Sequence, residues 1–145
     1  MEECGKPAAS GVRLRGLLLG LAFAGTAGLA APAGAATTGD PDKGEALYSR
    51  CIACHALAYD RTGPRHCGLL GRRAGSVAGF EYSKAMKGSA IVWTTATLNT
   101  FLANPMKSMP GTAMGYAGVT DPQERADLVA YLAQASGSAA CETAK

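Results

Sequence analysis

Apolar side chains recur at helical spacing in three stretches of the chain, and this pattern predicts three short helices. The first is predicted over residues 41–54, where Asp40 can cap the start. The second is predicted over residues 95–104 and ends before Pro105, because proline disfavours a helical residue at the position that precedes it. The third is predicted over residues 121–135. The pattern therefore indicates a small helical domain.

The ends of the third predicted helix carry signals of their own. Thr120 and Gln123 predict a capping box at the start, with Pro122 in the first turn. Gly137 suits the C-terminal cap. Residues 137–145 then form a short tail.

Residues 55–94 separate the first two predicted helices, show no strong period and are rich in glycine. A compact domain rarely contains so long an irregular connection unless the connection wraps around something. Short helices and much loop also leave a thin hydrophobic core. We therefore expect a non-protein group to complete the interior.

The composition excludes two classes of protein. Of the 145 residues, 48% are hydrophobic and 17% are charged, which excludes a disordered chain. The formal net charge is only +3, far below that of a nucleic-acid-binding surface. The length suits one domain.

The first 36 residues have the layout of a secretory signal peptide. Arg13 and Arg15 precede a short apolar run, small residues follow up to Ala36, and no charged side chain interrupts them. We expect residues 1–36 to be cleaved as a signal and residues 37–145 to form the mature domain. An uncleaved membrane anchor is the alternative, but the apolar run is shorter than the roughly 20 residues that a span needs.

Export places the mature chain in the bacterial periplasm or an equivalent exported space. Thiols in such an oxidising compartment are bridged, ligated or otherwise capped. Cys4 would be lost with the signal. Four cysteines then remain: Cys51, Cys54, Cys67 and Cys141.

Residues Cys51-Ile52-Ala53-Cys54-His55 form a C-x-x-C-H motif, the attachment signature of haem c. Two thiols three residues apart can reach both vinyl groups along one porphyrin edge, and the histidine can then bind the iron. A thioredoxin-like dithiol, a zinc site that adds Cys67, and a structural disulfide are the alternatives. The first needs a βαβ context, and adjacent Cys54 and His55 make a poor pair of zinc ligands.

An iron held by one histidine either takes a sixth ligand or keeps an open site. Met114 follows a stiff turn over residues 110–113, which can bring its soft thioether to the iron. Spacing alone leaves Met106 and Met109 as credible alternatives. His66 is the other remaining histidine.

In their order along the chain, these motifs resemble those of a class I c-type cytochrome of the cytochrome c/c2 family. The resemblance implies an all-α class I cytochrome c fold, in which three or more short helices and long loops wrap around one covalently attached haem. It extends from about residue 42 to residue 136. The matching set is the C-x-x-C-H motif, Thr62-Gly63-Pro64, Gly68-Leu69-Leu70-Gly71-Arg72, Gly79-Phe80-Glu81-Tyr82-Ser83, Trp93, Pro110-Gly111-Thr112-Ala113-Met114 and residues 124–132.

The resemblance implies a role for each matching residue around haem c. Cys51 and Cys54 would form the attachment, and His55 and Met114 would be the axial ligands. The carbonyl of Pro64 would accept the N–H of the histidine ring. Four further side chains would donate hydrogen bonds to the haem propionates: Arg72, Tyr82, Trp93 and Thr112.

The same resemblance implies an electron carrier and not an enzyme. Single electrons would pass between respiratory or photosynthetic partners by Fe(II)/Fe(III) cycling. The partners would be membrane redox complexes bound transiently, such as a quinol-oxidising complex, a terminal oxidase or a photosynthetic reaction centre. We expect a monomer. A haem peroxidase or ligand sensor is the second hypothesis, and it requires a labile or absent sixth ligand.

Two positions depart from the usual pattern of the family. An apolar residue is usual where this chain has His66, which keeps a bis-histidine alternative open. Cys67 follows it, and the resemblance implies a disulfide between Cys67 and Cys141, because the matching segments lie near each other in the family. It also implies a close helix crossing at Gly44 and Tyr131.

Overall fold

Six helices and the loops between them make up residues 38–142, the part of the chain that the computed structural model describes. The only extended pairing within this part is an isolated antiparallel bridge between Arg73 and Val92. No helix within it is long and apolar enough to cross a membrane. The predicted signal peptide lies outside the described residues. The helices are α1 (Pro41–Tyr48), α2 (Lys84–Lys87), α3 (Thr95–Ala103), α4 (Pro105–Ser108), α5 (Pro122–Ala135) and α6 (Ala139–Glu142).

The predicted all-α class is confirmed, and α3 and α5 lie close to their predicted bounds. Helix α1 begins where predicted, because the Asp40 carboxylate accepts hydrogen bonds from the N–H groups of Asp42 at 3.0 Å and Lys43 at 3.4 Å. The prediction that this helix continues to Cys54 is wrong. After Tyr48 the backbone hydrogen bonds join residues three apart instead of four apart, as in a 3₁₀ turn. The N–H of Cys51, for example, donates to the Tyr48 carbonyl at 2.8 Å.

A different residue from those predicted caps the start of α5. The Asp121 carboxylate accepts a hydrogen bond from the N–H of Glu124 at 2.8 Å. The predicted capping box of Thr120 and Gln123 is wrong, because the Gln123 amide instead donates to the Asp127 carboxylate at 2.8 Å. A carboxylate at the cap also suits the positive end of the helix dipole.

Two other helix ends depart from the predictions. Pro105 does follow the end of α3, but it also occupies the first position of α4. The side chain of Asn104 caps α4 by accepting the N–H of Lys107 at 2.9 Å. At the end of α5 the cap is Ser136 and not the predicted Gly137.

Helices α1 and α5 cross at a position without a side chain. Gly44 is buried, and a Cβ atom there would overlap the carbonyl of Asp127 and lie 2.7 Å from the Cβ of Tyr131. The side chain of Asp127 adds a second link, since it accepts hydrogen bonds from the backbone N–H of Asp40 and the amide of Gln123, both at 2.8 Å. These donors, the backbone N–H first, lower the pKa of the Asp127 carboxyl. The expected crossing at Gly44 and Tyr131 is present.

We expect Gly44→Ala to destabilise the protein by roughly 1–3 kcal/mol. The added methyl overpacks the crossing, and the free-energy cost of this exceeds the ~1 kcal/mol that alanine gains over glycine in a helix. Denaturant unfolding followed by circular dichroism measures the change. Gly137→Ala is the matched control, since nothing in the described residues beyond its two chain neighbours lies within 4 Å of a methyl added there. Equal stability of the two variants would contradict the tight crossing.

Candidate functional site

A cavity of about 480 Å³ lies among α3, α5 and the loops that connect the helices. Protein interiors pack closely and rarely contain voids much larger than a water molecule. This cavity is partly open to solvent and lined mostly by apolar side chains, so it suits a large apolar group. Much of the wall consists of buried apolar side chains from α3 and α5: Leu98, Phe101, Leu102, Leu128 and Leu132.

Cys51 and Cys54 lie on the cavity wall, in the turns that follow α1. The N–H of Cys54 donates to the carbonyl of Cys51 at 3.0 Å, so one tight turn presents both thiols. Within residues 38–142 neither thiol pairs with another cysteine. Cys51 is half-buried, and this burial raises the pKa of its thiol. Two free thiols beside an apolar cavity suit a covalent tether for haem.

His55 is buried, and a backbone carbonyl fixes its tautomer. Its Nδ1 lies 2.8 Å from the carbonyl oxygen of Pro64, which can only accept, so Nδ1 carries the proton. Burial lowers the pKa of His55, while the Pro64 carbonyl raises it by less. The ring is therefore neutral at pH 7, and its Nε2 lone pair is available to a metal.

The backbone of Gly63 lies against a face of the His55 ring. A Cβ atom added to Gly63 would lie 2.6 Å from both ring nitrogens and closer still to Cε1. Such short distances to both nitrogens occur only over the face of the ring, because an atom beyond the Cε1 edge lies farther from each. The N–H of Gly63 also donates to the carbonyl of Cys54 at 2.7 Å. Position 63 therefore has no room for a side chain while His55 keeps this orientation.

Met114 is the one methionine, of the three that spacing left open, that lines the cavity. Its N–H donates to the hydroxyl oxygen of buried Thr112 at 3.3 Å, which holds the loop in place. Met109 is buried in the hydrophobic core, and Met106 is 51% exposed outside the cavity. The structure therefore favours Met114 over both alternatives.

The four residues expected to hold the propionates all line the same cavity: Arg72, Tyr82, Trp93 and Thr112. The guanidinium of Arg72 donates to the carbonyls of Arg65 at 2.8 Å and Cys67 at 2.9 Å, which leaves further N–H donors on the group. Burial lowers the pKa of Arg72. Among residues 38–142 no carboxylate forms an ion pair with it. A partly buried cation without a carboxylate partner suits a ligand that brings its own negative charge.

His66 stacks on His55. The two ring centroids are 4.4 Å apart and the ring planes differ by 22°. Nδ1 of His66 lies 3.1 Å from the hydroxyl of Tyr48. Burial, with smaller contributions from His55 and Arg72, lowers the pKa of His66 to about 3, so this ring is also neutral at pH 7. A ring stacked on the first histidine approaches from the same side, which argues against the bis-histidine alternative.

Cys67 and Cys141 lie next to each other. Their Cα atoms are 5.2 Å apart, within the range that a disulfide requires, and their sulfur atoms are at bonding distance. The alternative of a zinc site required Cys67 to lie beside the C-x-x-C-H motif as a further ligand. In the described part of the chain no three His, Cys, Asp or Glu side chains converge on a metal site.

Three contacts at this site were not predicted from the sequence: the packing of Gly63 on His55, the stack of His66 on His55 and the hydrogen bond between Tyr48 and His66. Tyr48 precedes Cys51 by three residues, a spacing that can place two side chains on one helix face. This spacing could have indicated that Tyr48 lies near the C-x-x-C-H motif. Nothing local links Tyr48 to His66, which lies 18 residues away.

Comparisons with known proteins agree on one family. The family model described as Cytochrome c matches residues 41–136. Cytochrome c2 of Rhodomicrobium vannielii is 44% identical over 108 residues, which cover 72% of this chain and 86% of that protein. Cytochrome c of Chlamydomonas reinhardtii is 46% identical over 105 residues, which cover 70% of this chain and 94% of that protein. Among solved structures, cytochrome cH from Methylobacterium extorquens matches with a TM-score of 0.65 and 38% identity, over 66% of this chain and 99% of that chain.

We expect Gly63→Ala to displace the His55 ring and to destabilise the haem-loaded protein by roughly 1–3 kcal/mol, as overpacking does elsewhere. Thermal unfolding and the visible spectrum of the loaded protein measure the two effects. Gly137→Ala again serves as the control. A Gly63→Ala protein with an unchanged spectrum and unchanged stability would show that the glycine does not constrain His55.

Proposed function

The chain belongs to the cytochrome c family, and we propose the roles through which its residues carry out electron transfer. As a member of that family it is an electron carrier rather than an enzyme, with one covalently attached haem c. When bound, this group supplies an iron that alternates between Fe(II) and Fe(III). The proposal rests above all on the cavity of about 480 Å³, whose wall presents a thiol pair, a neutral imidazole and a thioether.

Cys51 and Cys54 would form the covalent attachment, and His55 and Met114 would ligate the iron. The carbonyl of Pro64 keeps Nδ1 protonated, which directs the lone pair of Nε2 to the iron. The thioether of Met114 is a soft ligand that favours Fe(II) and raises the reduction potential. With His55 and Met114 both bound to the iron, no coordination position would remain for oxygen or peroxide, as suits a carrier.

Four side chains hold the haem propionates: Arg72, Tyr82, Trp93 and Thr112. Buried carboxylates need hydrogen-bond donors or a positive partner, and these side chains provide both. The lack of an ion pair to Arg72 within the described residues supports this role. A propionate would supply the missing negative charge.

The partners are membrane redox complexes that bind the protein transiently: a quinol-oxidising complex, a terminal oxidase or a photosynthetic reaction centre. Lys84 and Lys87 on α2 and Lys107 on α4 are exposed, and Met106 adds apolar surface with 51% of its area exposed. Three lysines give an attraction to acidic surfaces that salt screens, while the apolar contact is insensitive to salt. The protein acts as a monomer.

The protein works in the bacterial periplasm or an equivalent exported space, after cleavage of residues 1–36 as a signal peptide. The charge-free apolar run behind Arg13 and Arg15 supports export. The adjacency of Cys67 and Cys141 fits the same compartment, since disulfides persist where conditions are oxidising. N-terminal sequencing of the periplasmic protein identifies the cleavage site.

We expect Met114→Ala to remove the sulfur-to-iron absorption band of the ferric protein and to lower its reduction potential, because the soft ligand is lost. The reduced variant should then bind carbon monoxide rapidly at neutral pH. Visible spectroscopy and redox titration measure these changes, with Met106→Ala as the control because this side chain lies outside the cavity.

A band that survives in Met114→Ala would overturn the ligand assignment. Rapid carbon monoxide binding by the unmodified protein would instead favour a peroxidase or sensor. A colour that acid–acetone removes would exclude covalent attachment and reopen the possibility of a thiol oxidoreductase.

The disulfide between Cys67 and Cys141 links the C-terminal tail to the loop beside His66. It closes a loop with a sequence separation of 74 residues. The chain-entropy model assigns such a loop about 4 kcal/mol of stabilisation. The tail would therefore stabilise the loop that carries the histidine stack.

Alkylation of the unfolded, non-reduced holoprotein should label no thiol, and reduction should expose two. Mass spectrometry counts the labels. We expect Cys67→Ser with Cys141→Ser to lower the melting temperature while the visible spectrum stays that of the parent. Two labelled thiols without reduction would contradict the disulfide.

A further inference from the structure

We infer that His66, held by Tyr48, is a positioning residue that fixes the rotation of the His55 ring and lowers the reduction potential of the bound iron. The inference rests on the proposed role of His55 as an axial ligand. The resemblance implies an apolar side chain at position 66. The histidine there is a feature of this chain and performs none of the roles proposed above.

A single hydrogen bond leaves the His55 ring partly free to turn. The contact from Nδ1 to the Pro64 carbonyl, 2.8 Å long, fixes where that nitrogen points but not the rotation of the ring about this line. A flat ring at a centroid distance of 4.4 Å, inclined by only 22°, blocks that rotation. The Gly63 backbone lies over a face of the same ring. The plane of the imidazole is therefore set by packing as well as by the hydrogen bond.

His66 is itself anchored at both its side chain and its backbone. The hydroxyl of Tyr48 lies 3.1 Å from its Nδ1, and Tyr48 is only 5% exposed. The N–H of His66 donates to the carbonyl of Ala56 at 3.1 Å, and its own carbonyl accepts from the hydroxyl of Ser136 at 3.3 Å. A ring held by these hydrogen bonds has a fixed orientation and can therefore restrict the rotation of the neighbouring His55 ring.

The polarity of the His66 ring affects the reduction potential of the bound iron. Oxidation adds one positive charge to the iron and its ligands, and a neighbouring polar, polarisable ring stabilises that charge better than an aliphatic side chain does. The ferric state is therefore favoured relative to a chain with an apolar residue at position 66. A phenylalanine at this position would keep the flat contact while losing the polar atoms, so the two effects can be separated.

The test compares three variants of the haem-loaded protein by redox titration and by the electron paramagnetic resonance spectrum of the ferric form, which reports the orientation of axial ligands. His66→Leu should change the spectrum. At the midpoint potential of the parent, its Fe(II):Fe(III) ratio should be about threefold higher. This corresponds to a rise of ~30 mV in the reduction potential, because a tenfold change in the ratio is about 59 mV for a one-electron couple. His66→Phe should raise the ratio with little change in the spectrum. Tyr48→Phe should change both by less.

Tyr59→Phe is the matched control, because it removes a tyrosine hydroxyl at a side chain that is 62% exposed. A His66→Leu protein with the potential and spectrum of this control would overturn the inference while leaving the proposed function intact. A parent protein without His/Met ligation would overturn both. If His66→Leu does not mature, the two phenylalanine variants decide the question, since each keeps an aromatic ring at its position.

Discussion

The interior of this protein depends on one group that the polypeptide does not supply. Buried leucines of α3 and α5 pack in one core cluster and also line a cavity of about 480 Å³. Because a close-packed interior loses both dispersion and burial energy around such a void, the haem is part of the hydrophobic core. The long loops contribute the rest of the cavity wall, where they would pack on the cofactor in place of regular partners.

The residues around His55 form a continuous assembly. Its ring contacts the carbonyl of Pro64 and the plane of His66, and His66 contacts Tyr48 at the end of α1. On the next stretch of chain, Arg72 donates to the carbonyl of Cys67, the residue that follows His66. Helix α1, the loop that carries Pro64 and the segment at Cys67 therefore all connect to one imidazole.

Local signals predicted the start of α1 better than its end. Asp40 followed by proline indicated the start of α1, and C-x-x-C-H indicated the attachment site, because each depends on residues a few positions apart. The end of α1 at Tyr48 and the selection of Met114 were not fixed by spacing, since both depend on how distant segments pack around the cavity. The stack of His66 on His55 is of the same kind: a loop closed by tertiary contacts places the rings together.

The most direct measurement is the denaturant unfolding, followed by far-ultraviolet circular dichroism, of a Cys51→Ala, Cys54→Ala variant that cannot attach haem covalently and is purified free of haem. Without the group that fills the cavity, the chain is expected to show a low helical signal and no cooperative transition, whereas the haem-loaded parent unfolds in one sharp step. A cooperative transition at the parent's midpoint in the haem-free variant would contradict the claim that the cofactor completes the core.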